Sequence, residues 1–385
     1  MQIKTISVHK YHEYLDTVHE KEFLQSDYQG VKFSQRGWEV EYIEAIKDGK
    51  TVAFSMIACM PLMKVFKYCY IPRGFFMDYH SKEDVISFTS SLKEYLKKKN
   101  VIYAEIDPSI EFVQRDKDGN IVEGGYNNFD VVENLKAAGF LHLPMKPGYD
   151  ISKECRWVSV LDLKGKTKEE IFKEFSYQTR QDIRTYEKYC VKTRVLNEDQ
   201  LDILDEMEKE TSERQDFEAM SLDFYKDLYH FYGKSHIETV LSYLDLDAYA
   251  IKMQSEFDKT SKDIEKTKAF LEQNPGNVKK EKRLKTDEEY YNSLQKKLSH
   301  IEELKQKYGK EIPLACCLFV KYGHQIVYLV GSSNYEHRVF RGPYAIQWKM
   351  IQEAIDEGYD LYNFYGISGY FHKDEEGYGV FDYKR

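Results

Sequence analysis

Residues 250–308 constrain the fold of this chain more than any other stretch. Apolar or small side chains recur at Ala250, Met253, Phe257, Thr260, Ile264, Thr267 and Leu271 in alternating steps of three and four, the seam of one helix packed along another. A second seam runs Leu284, Tyr291, Leu294, Leu298, Ile301 and Tyr308, and Asn274-Pro275-Gly276 between the two breaks any continuous helix. The pattern predicts an antiparallel coiled-coil arm inserted over residues 248–310. Its outer faces are dense in Lys and Glu, which simple solvation explains and a ligand role would also use.

Outside the arm, one pattern occurs twice. The strand-like Val65–Ile71 meets Pro72-Arg73-Gly74, then an amphipathic helix over 82–99 and a strand over Val101–Ile106. Later the strand-like Ile326–Val330 precedes Arg341-Gly342-Pro343, a helix over 344–357 and a strand over Leu361–Tyr365. With 385 residues the chain exceeds one ordinary core. The expected fold is therefore α/β (α+β), with two acetyltransferase-like (GNAT-like) domains at 1–150 and 151–385, the second carrying the arm. Coenzyme A enzymes of that fold grip the pyrophosphate with a Gly-rich loop at the helix start. Here Pro343 removes one N–H donor and Phe75, Phe76 and Tyr344 crowd the approach, which disfavours coenzyme A.

A net charge of -9 argues against a surface that is wholly a nucleic-acid footprint, and leaves room for a local basic patch. The six cysteines show no metal-ligand spacing, so neither a metal nor a disulfide is assigned. The first residues lack the basic start and apolar run of a signal peptide, and no window nears the roughly 18 apolar residues that span a bilayer. A membrane-bound substrate would be met by peripheral contact from the cytoplasm.

The ordered set of motifs resembles the Fem family of nonribosomal peptidyltransferases, which build peptidoglycan cross-bridges. Its carriers are Phe23-Leu24-Gln25-Ser26, Pro61-Leu62-Met63-Lys64-Val65-Phe66-Lys67-Tyr68, Tyr70-Ile71-Pro72-Arg73-Gly74, Ile106-Asp107-Pro108 and Ser159-Val160-Leu161-Asp162-Leu163. After the arm come Gly342-Pro343-Tyr344-Ala345-Ile346-Gln347-Trp348 and Tyr362-Asn363-Phe364-Tyr365-Gly366-Ile367-Ser368-Gly369. The resemblance implies transfer of Gly, Ala or Ser from aminoacyl-tRNA, a co-substrate rather than a cofactor, to the amine of the lipid II stem peptide or its growing bridge. It leaves open which amino acid moves, which bridge residue is added, whether the chain forms a homo-oligomer and whether Arg385 is its natural end.

Amine attack on an already activated ester needs positioning, deprotonation and oxyanion stabilisation, not a covalent intermediate. No nucleophile motif is present. Phe381-Asp382-Tyr383-Lys384-Arg385 resembles the family's aromatic-Lys segment, which assigns Lys384 to the oxyanion. Asp107 matches a family Asp and is the candidate base; it could equally cap a turn, leaving water or the substrate to take the proton. The resemblance also implies a phosphate-binding Lys after the Phe-x-Gln motif, here Lys32, with Arg36 as a nearby substitute. Arg73 offers a planar fork for phosphate or carboxylate. A family Arg before the aromatic pair Phe224-Tyr225 is missing from Ala219-Met220-Ser221-Leu222, so Arg214 is expected to replace it. Tyr328, Tyr362 and Tyr365 line the acceptor cleft or the core beside it. For tRNA phosphates the candidates are Arg180 and Arg184, one helical turn apart, and Lys280 and Arg283 near the arm's apex. The competing readings are a coenzyme A-dependent N-acyltransferase and a noncatalytic tRNA-binding or coiled-coil scaffold.

Overall fold

The computed structural model describes residues 1–62, 64–150 and 152–385. Met63 of the quoted motif and Ile151, at the expected domain boundary, lie outside the described residues.

Two six-stranded sheets organise the chain. In the first, Gln2–Ile6, Glu39–Lys47, Lys50–Pro61 and Lys67–Ile71 pair antiparallel in sequence order, and Val101–Ile106 then pairs parallel with Lys67–Ile71. The helix Lys82–Lys97 makes the parallel crossover. Ser81 accepts the Asp84 N–H at its start, with Glu83 and Asp84 in the first turn, where carboxylates complement the helix dipole. Val85, Phe88, Leu92 and Leu96 bury one stripe of it against Ile57, Cys69 and Ile71. The expected strand 65–71 begins only at Lys67: Val65 and Phe66, apolar but facing no core, sit in an exposed turn.

The second sheet repeats this plan. Trp157–Asp162, Leu361–Ile367, Gln325–Ser333, Glu311–Tyr322, Ile237–Asp245 and Val191–Val195 lie side by side in that order. Its parallel pair, Gln325–Ser333 and Leu361–Ile367, is joined by the helix Gly342–Asp356. The two Arg-Gly turns correspond in backbone as well as sequence, since Arg73 (φ 49°) and Arg341 (φ 60°) are both left-handed, a conformation uncommon outside glycine. Gly342 is required by close approach, because a Cβ there would lie 2.4 Å from Leu314 Cβ.

The arm consists of helices Leu246–Gln273 and Val278–Tyr308. Asp245 and Asn277 cap their starts by accepting the Ala248 and Lys280 N–H groups. Met253, Ile264 and Thr267 on one helix and Leu294, Ile301 and Leu304 on the other are buried along the seam, and Phe257 stacks on Tyr291 at 4.3 Å. Because Asp245 and Glu311 are paired neighbours in the sheet, the arm leaves and re-enters at a single point.

The halves share a core. Phe23 and Leu24 pack among Leu204, Tyr225, Leu228 and Val327 of the second half, and Tyr232 donates to Gln29 Oε1 at 2.7 Å. This packing fixes the helix Asp27–Gln35, which carries Lys32, against the second sheet.

Candidate functional site

The Phe23-Leu24-Gln25-Ser26 motif shows how the site is built. Gln25 is fully buried and has all its amide positions filled. Its Oε1 accepts from Tyr11 Oη (2.8 Å), Met56 N (2.9 Å) and Ser55 Oγ (3.2 Å), and its Nε2 donates to the carbonyls of Met56 (3.1 Å) and Pro72 (2.5 Å). The side chain thus ties the strand Lys50–Pro61 to the turn that presents Arg73. Asp107 completes the turn from the neighbouring strand end, accepting the Arg73 N–H at 2.7 Å on Oδ1 and the Tyr70 hydroxyl at 2.9 Å on Oδ2. Burial raises its pKa, with Arg73 opposing. Asp107 therefore holds the turn, the capping role its position also allowed, while each oxygen keeps a further acceptor site.

Arg73 points from this turn to the second half, where its guanidinium lies 3.4 Å from the Cys155 carbonyl and 3.7 Å from Glu154. Burial works against its charge, but Tyr365, Asp107 and Glu154 outweigh that and hold it protonated. Tyr365 reaches the same place through an irregular strand. The pairing register slips between Asn363 and Tyr365, Tyr365 is left-handed at φ 62°, and Asn363 Oδ1 accepts its N–H at 2.8 Å. Bulges re-aim side chains, and this one brings the Tyr365 hydroxyl to Glu154 at 2.5 Å. Tyr362 is wholly core, donating to Gln347 at 2.6 Å.

Two lysines stand in this region without a carboxylate in contact among the described residues. Lys32 is buried, with its ammonium 5.0 Å from the Phe224 ring. Burial, and Arg36 beside it, bring its pKa down to about 8, against the pull of Asp227 and Glu154. Lys384 ends the short helix Tyr378–Lys384; its ammonium donates to the Gly366 carbonyl at 2.7 Å and lies 5.5 Å from the Tyr328 ring. Burial lowers it to about 8 as well, opposed by Cys155. Arg385 is paired with Asp118 of the first half, which pins this helix across the junction. A desolvated amine with spare N–H donors is suited to meeting an anion, since no protein charge already satisfies it.

The geometry thus links Lys32, Arg73, Asp107 and Tyr365 through a residue the sequence did not single out, Glu154, and brings Lys384, with Tyr328 beside it, to the adjacent Cys155. That carboxylate touches Arg73 and Tyr365 and influences Lys32. It lies in irregular chain before the strand Trp157–Asp162, where no periodicity marks it. Other candidates fall elsewhere. Arg36 is exposed and paired with Asp227 at 2.8 Å. Arg214 is exposed and packs 5.0 Å from the Tyr335 ring, so its replacement role finds no support in its contacts. Arg180 donates to the carbonyls of Lys173 (2.8 Å) and Phe175 (2.5 Å), closing the end of the helix Lys168–Glu174, a structural clamp in place of a free phosphate ligand. Arg184, on the same helix Tyr177–Lys188, is exposed over Phe172. On the arm, Lys280 lies over Phe270 and Arg283 reaches Asp287 at 3.4 Å.

Comparison with known proteins identifies the family and the fold. The FemAB family model matches residues 6–385. Aminoacyltransferase FemA of Staphylococcus epidermidis is 32% identical over 338 residues, covering 88% of this chain and 81% of that protein. Aminoacyltransferase FemA of Staphylococcus aureus is 33% identical over 340 residues, with 88% and 80% covered. The crystal structure of FemX superposes with a TM-score of 0.78 at 23% identity, covering 100% of this chain and 93% of that one, and so shares the fold. The chain belongs to the FemAB family and is an aminoacyltransferase.

Proposed function

We propose that this enzyme moves Gly, Ala or Ser from aminoacyl-tRNA to the amine of a lipid II stem peptide, or of its growing bridge, at the cytoplasmic face of the membrane. The observation that supports the reading is the pair of desolvated lysines, Lys32 influenced by Glu154 and Lys384 by Cys155, the two residues that Arg73 meets across the junction. Lys32 and Arg73 offer positive charge to the acceptor's diphosphate. The acceptor amine attacks the ester carbonyl, Lys384 donates to the tetrahedral oxyanion, and collapse expels the ribose hydroxyl, which takes up a proton. Asp107, water or substrate accepts the proton from the acceptor's ammonium before attack, and for an α-amine of the growing bridge, with a pKa near 8, this is feasible at neutral pH.

No cofactor is invoked. After the first Arg-Gly turn the Phe75 N–H is held by Tyr79 Oη at 2.5 Å, and at the start of the second helix Arg341 is paired with Asp182 at 2.8 Å. These contacts support a donor other than coenzyme A. For tRNA, exposed Arg184 and the lysines and arginine near the arm's apex are the candidate phosphate contacts.

The test supplies radiolabelled Gly-, Ala- and Ser-tRNA with a lipid II analogue; label on the stem peptide is expected, and absence of transfer from all three rejects the proposal. Lys32→Met should raise the acceptor KM about 10- to 100-fold with kcat within about threefold, the signature of lost uniform binding. Because the Lys32 amine turns neutral above its pKa of about 8, the wild-type acceptor KM should also climb as pH rises past that value. In Lys32→Met this limb should be absent, and its persistence would assign the pH dependence elsewhere.

A further inference from the structure

The turn between the strands Lys50–Pro61 and Lys67–Ile71 departs from ordinary surface chemistry. Leu62, Val65 and Phe66 are 52%, 63% and 40% exposed, and a Leu62 N–H to Phe66 carbonyl bond of 2.9 Å joins the two ends of the turn. Beside it, Ile102 and Tyr103 of the edge strand are also exposed; Ile102 falls at a register slip, and Tyr103 stacks on Tyr68 at 5.6 Å. The register thus gathers several exposed apolar side chains at one sheet corner, where an isolated exposed residue would need no explanation.

The charges around this corner are basic. Lys67 N donates to the Asn100 carbonyl at 3.0 Å, which places the run Lys97-Lys98-Lys99 at the base of the turn. Lys67 and Lys99 are tied to Glu39 and Glu41, whereas Lys64, Lys97 and Lys98 are exposed. On a protein of net charge -9, an anionic surface repels most of the molecule and attracts this corner. Apolar side chains that enter the headgroup region, ringed by lysines that meet lipid phosphates, are the pattern of interfacial binding.

We propose that this corner docks the enzyme on an anionic lipid bilayer. The inference rests on the proposed lipid-linked acceptor and adds an orientation to it. The strand Lys67–Ile71 runs from this corner to the Arg73 turn, and at about 3.3 Å per residue this places the lysine-lined site about 20 Å from the bilayer contact, within reach of a peptide carried on a membrane-anchored sugar.

The experiment measures sedimentation of the full-length protein with vesicles of equal parts phosphatidylglycerol and phosphatidylcholine, and with phosphatidylcholine alone. Wild type should bind the anionic vesicles more tightly, and less so at high salt. The double substitution Val65→Asp/Phe66→Asp should weaken binding about tenfold or more, and Lys97→Glu/Lys98→Glu should abolish the preference for anionic lipid. Transfer to a water-soluble acceptor should be unchanged in both, while transfer to a vesicle-embedded acceptor falls. Vesicle sedimentation needs neither donor nor acceptor, so it reads the surface separately from the transfer reaction. The proposal is overturned if wild type ignores both vesicles, if the aspartate variant binds as wild type does, or if that variant only dissociates a dimer.

Discussion

Lys384→Met should lower kcat about 100- to 1000-fold, the usual scale for losing an oxyanion donor, while the acceptor KM stays within about threefold. It should also make the protein more stable. The Lys384 amine is brought from 10.5 to about 8 by burial, and with about 1.4 kcal/mol for each such tenfold change the folded state bears a cost of about 3 kcal/mol for keeping it charged. Below about pH 8 both folded and unfolded chains hold the proton, and the whole cost is present. Between about 8 and 10.5 the unfolded chain binds more protons, so stability from this group rises with pH; above that range the cost is gone. Methionine removes the charge, keeps the bulk, and forfeits one hydrogen bond to Gly366 worth about 1 kcal/mol. Urea unfolding at pH 7 should therefore favour the variant, and the gap should close toward pH 10. Equal stability at pH 7, or an unaltered kcat, would remove the role assigned to this lysine.

Gln25→Leu should destabilise the fold by about 3 kcal/mol or more, among the largest single effects available here. The replacement has nearly the same volume but strips partners from the Met56 N–H and the Pro72 carbonyl in a buried site, while Ser55 keeps its bond to the Met56 carbonyl, and each buried orphan costs about 1–3 kcal/mol. The functional loss should exceed what stability explains, because the Pro72 carbonyl belongs to the turn that aims Arg73. At a temperature where the variant remains folded, kcat/KM for the acceptor should still drop about tenfold or more. Denaturant midpoints together with kinetics on the folded variant check both parts; a stable variant with a normal acceptor KM would show that the amide does not hold the turn.

The elements that could be read in the sequence were those governed by a repeating rule. The arm follows from its three-four seam, and both strand–Arg-Gly–helix–strand units follow from local periodicity, which survives because each helix buries a stripe on its own sheet. The strand starting at Val65 was overextended because β-propensity cannot tell an apolar residue facing a core from one facing outward. Glu154 carried no signal, since its importance comes from arriving opposite Arg73 through irregular chain. The bulge that turns Tyr365 was equally hidden: Tyr362-Asn363-Phe364-Tyr365 alternates as any strand does, and only the paired register at Ser159 and Val160 reveals the slip. Asp107 was legible as a site residue and as a turn cap, but its partners were not, for Tyr70 and Arg73 come from a strand and the turn after it, some 35 residues away.

Because the arm departs and returns through the paired residues Asp245 and Glu311, its length is uncoupled from the rest of the molecule. Adding or deleting one seven-residue repeat in each helix preserves the seam and shifts the apex by about 10 Å, with no change in sheet register. The arm can therefore serve as a ruler whose graduations are heptads, letting the reach to a distant partner vary among relatives while the chemistry at its root stays fixed.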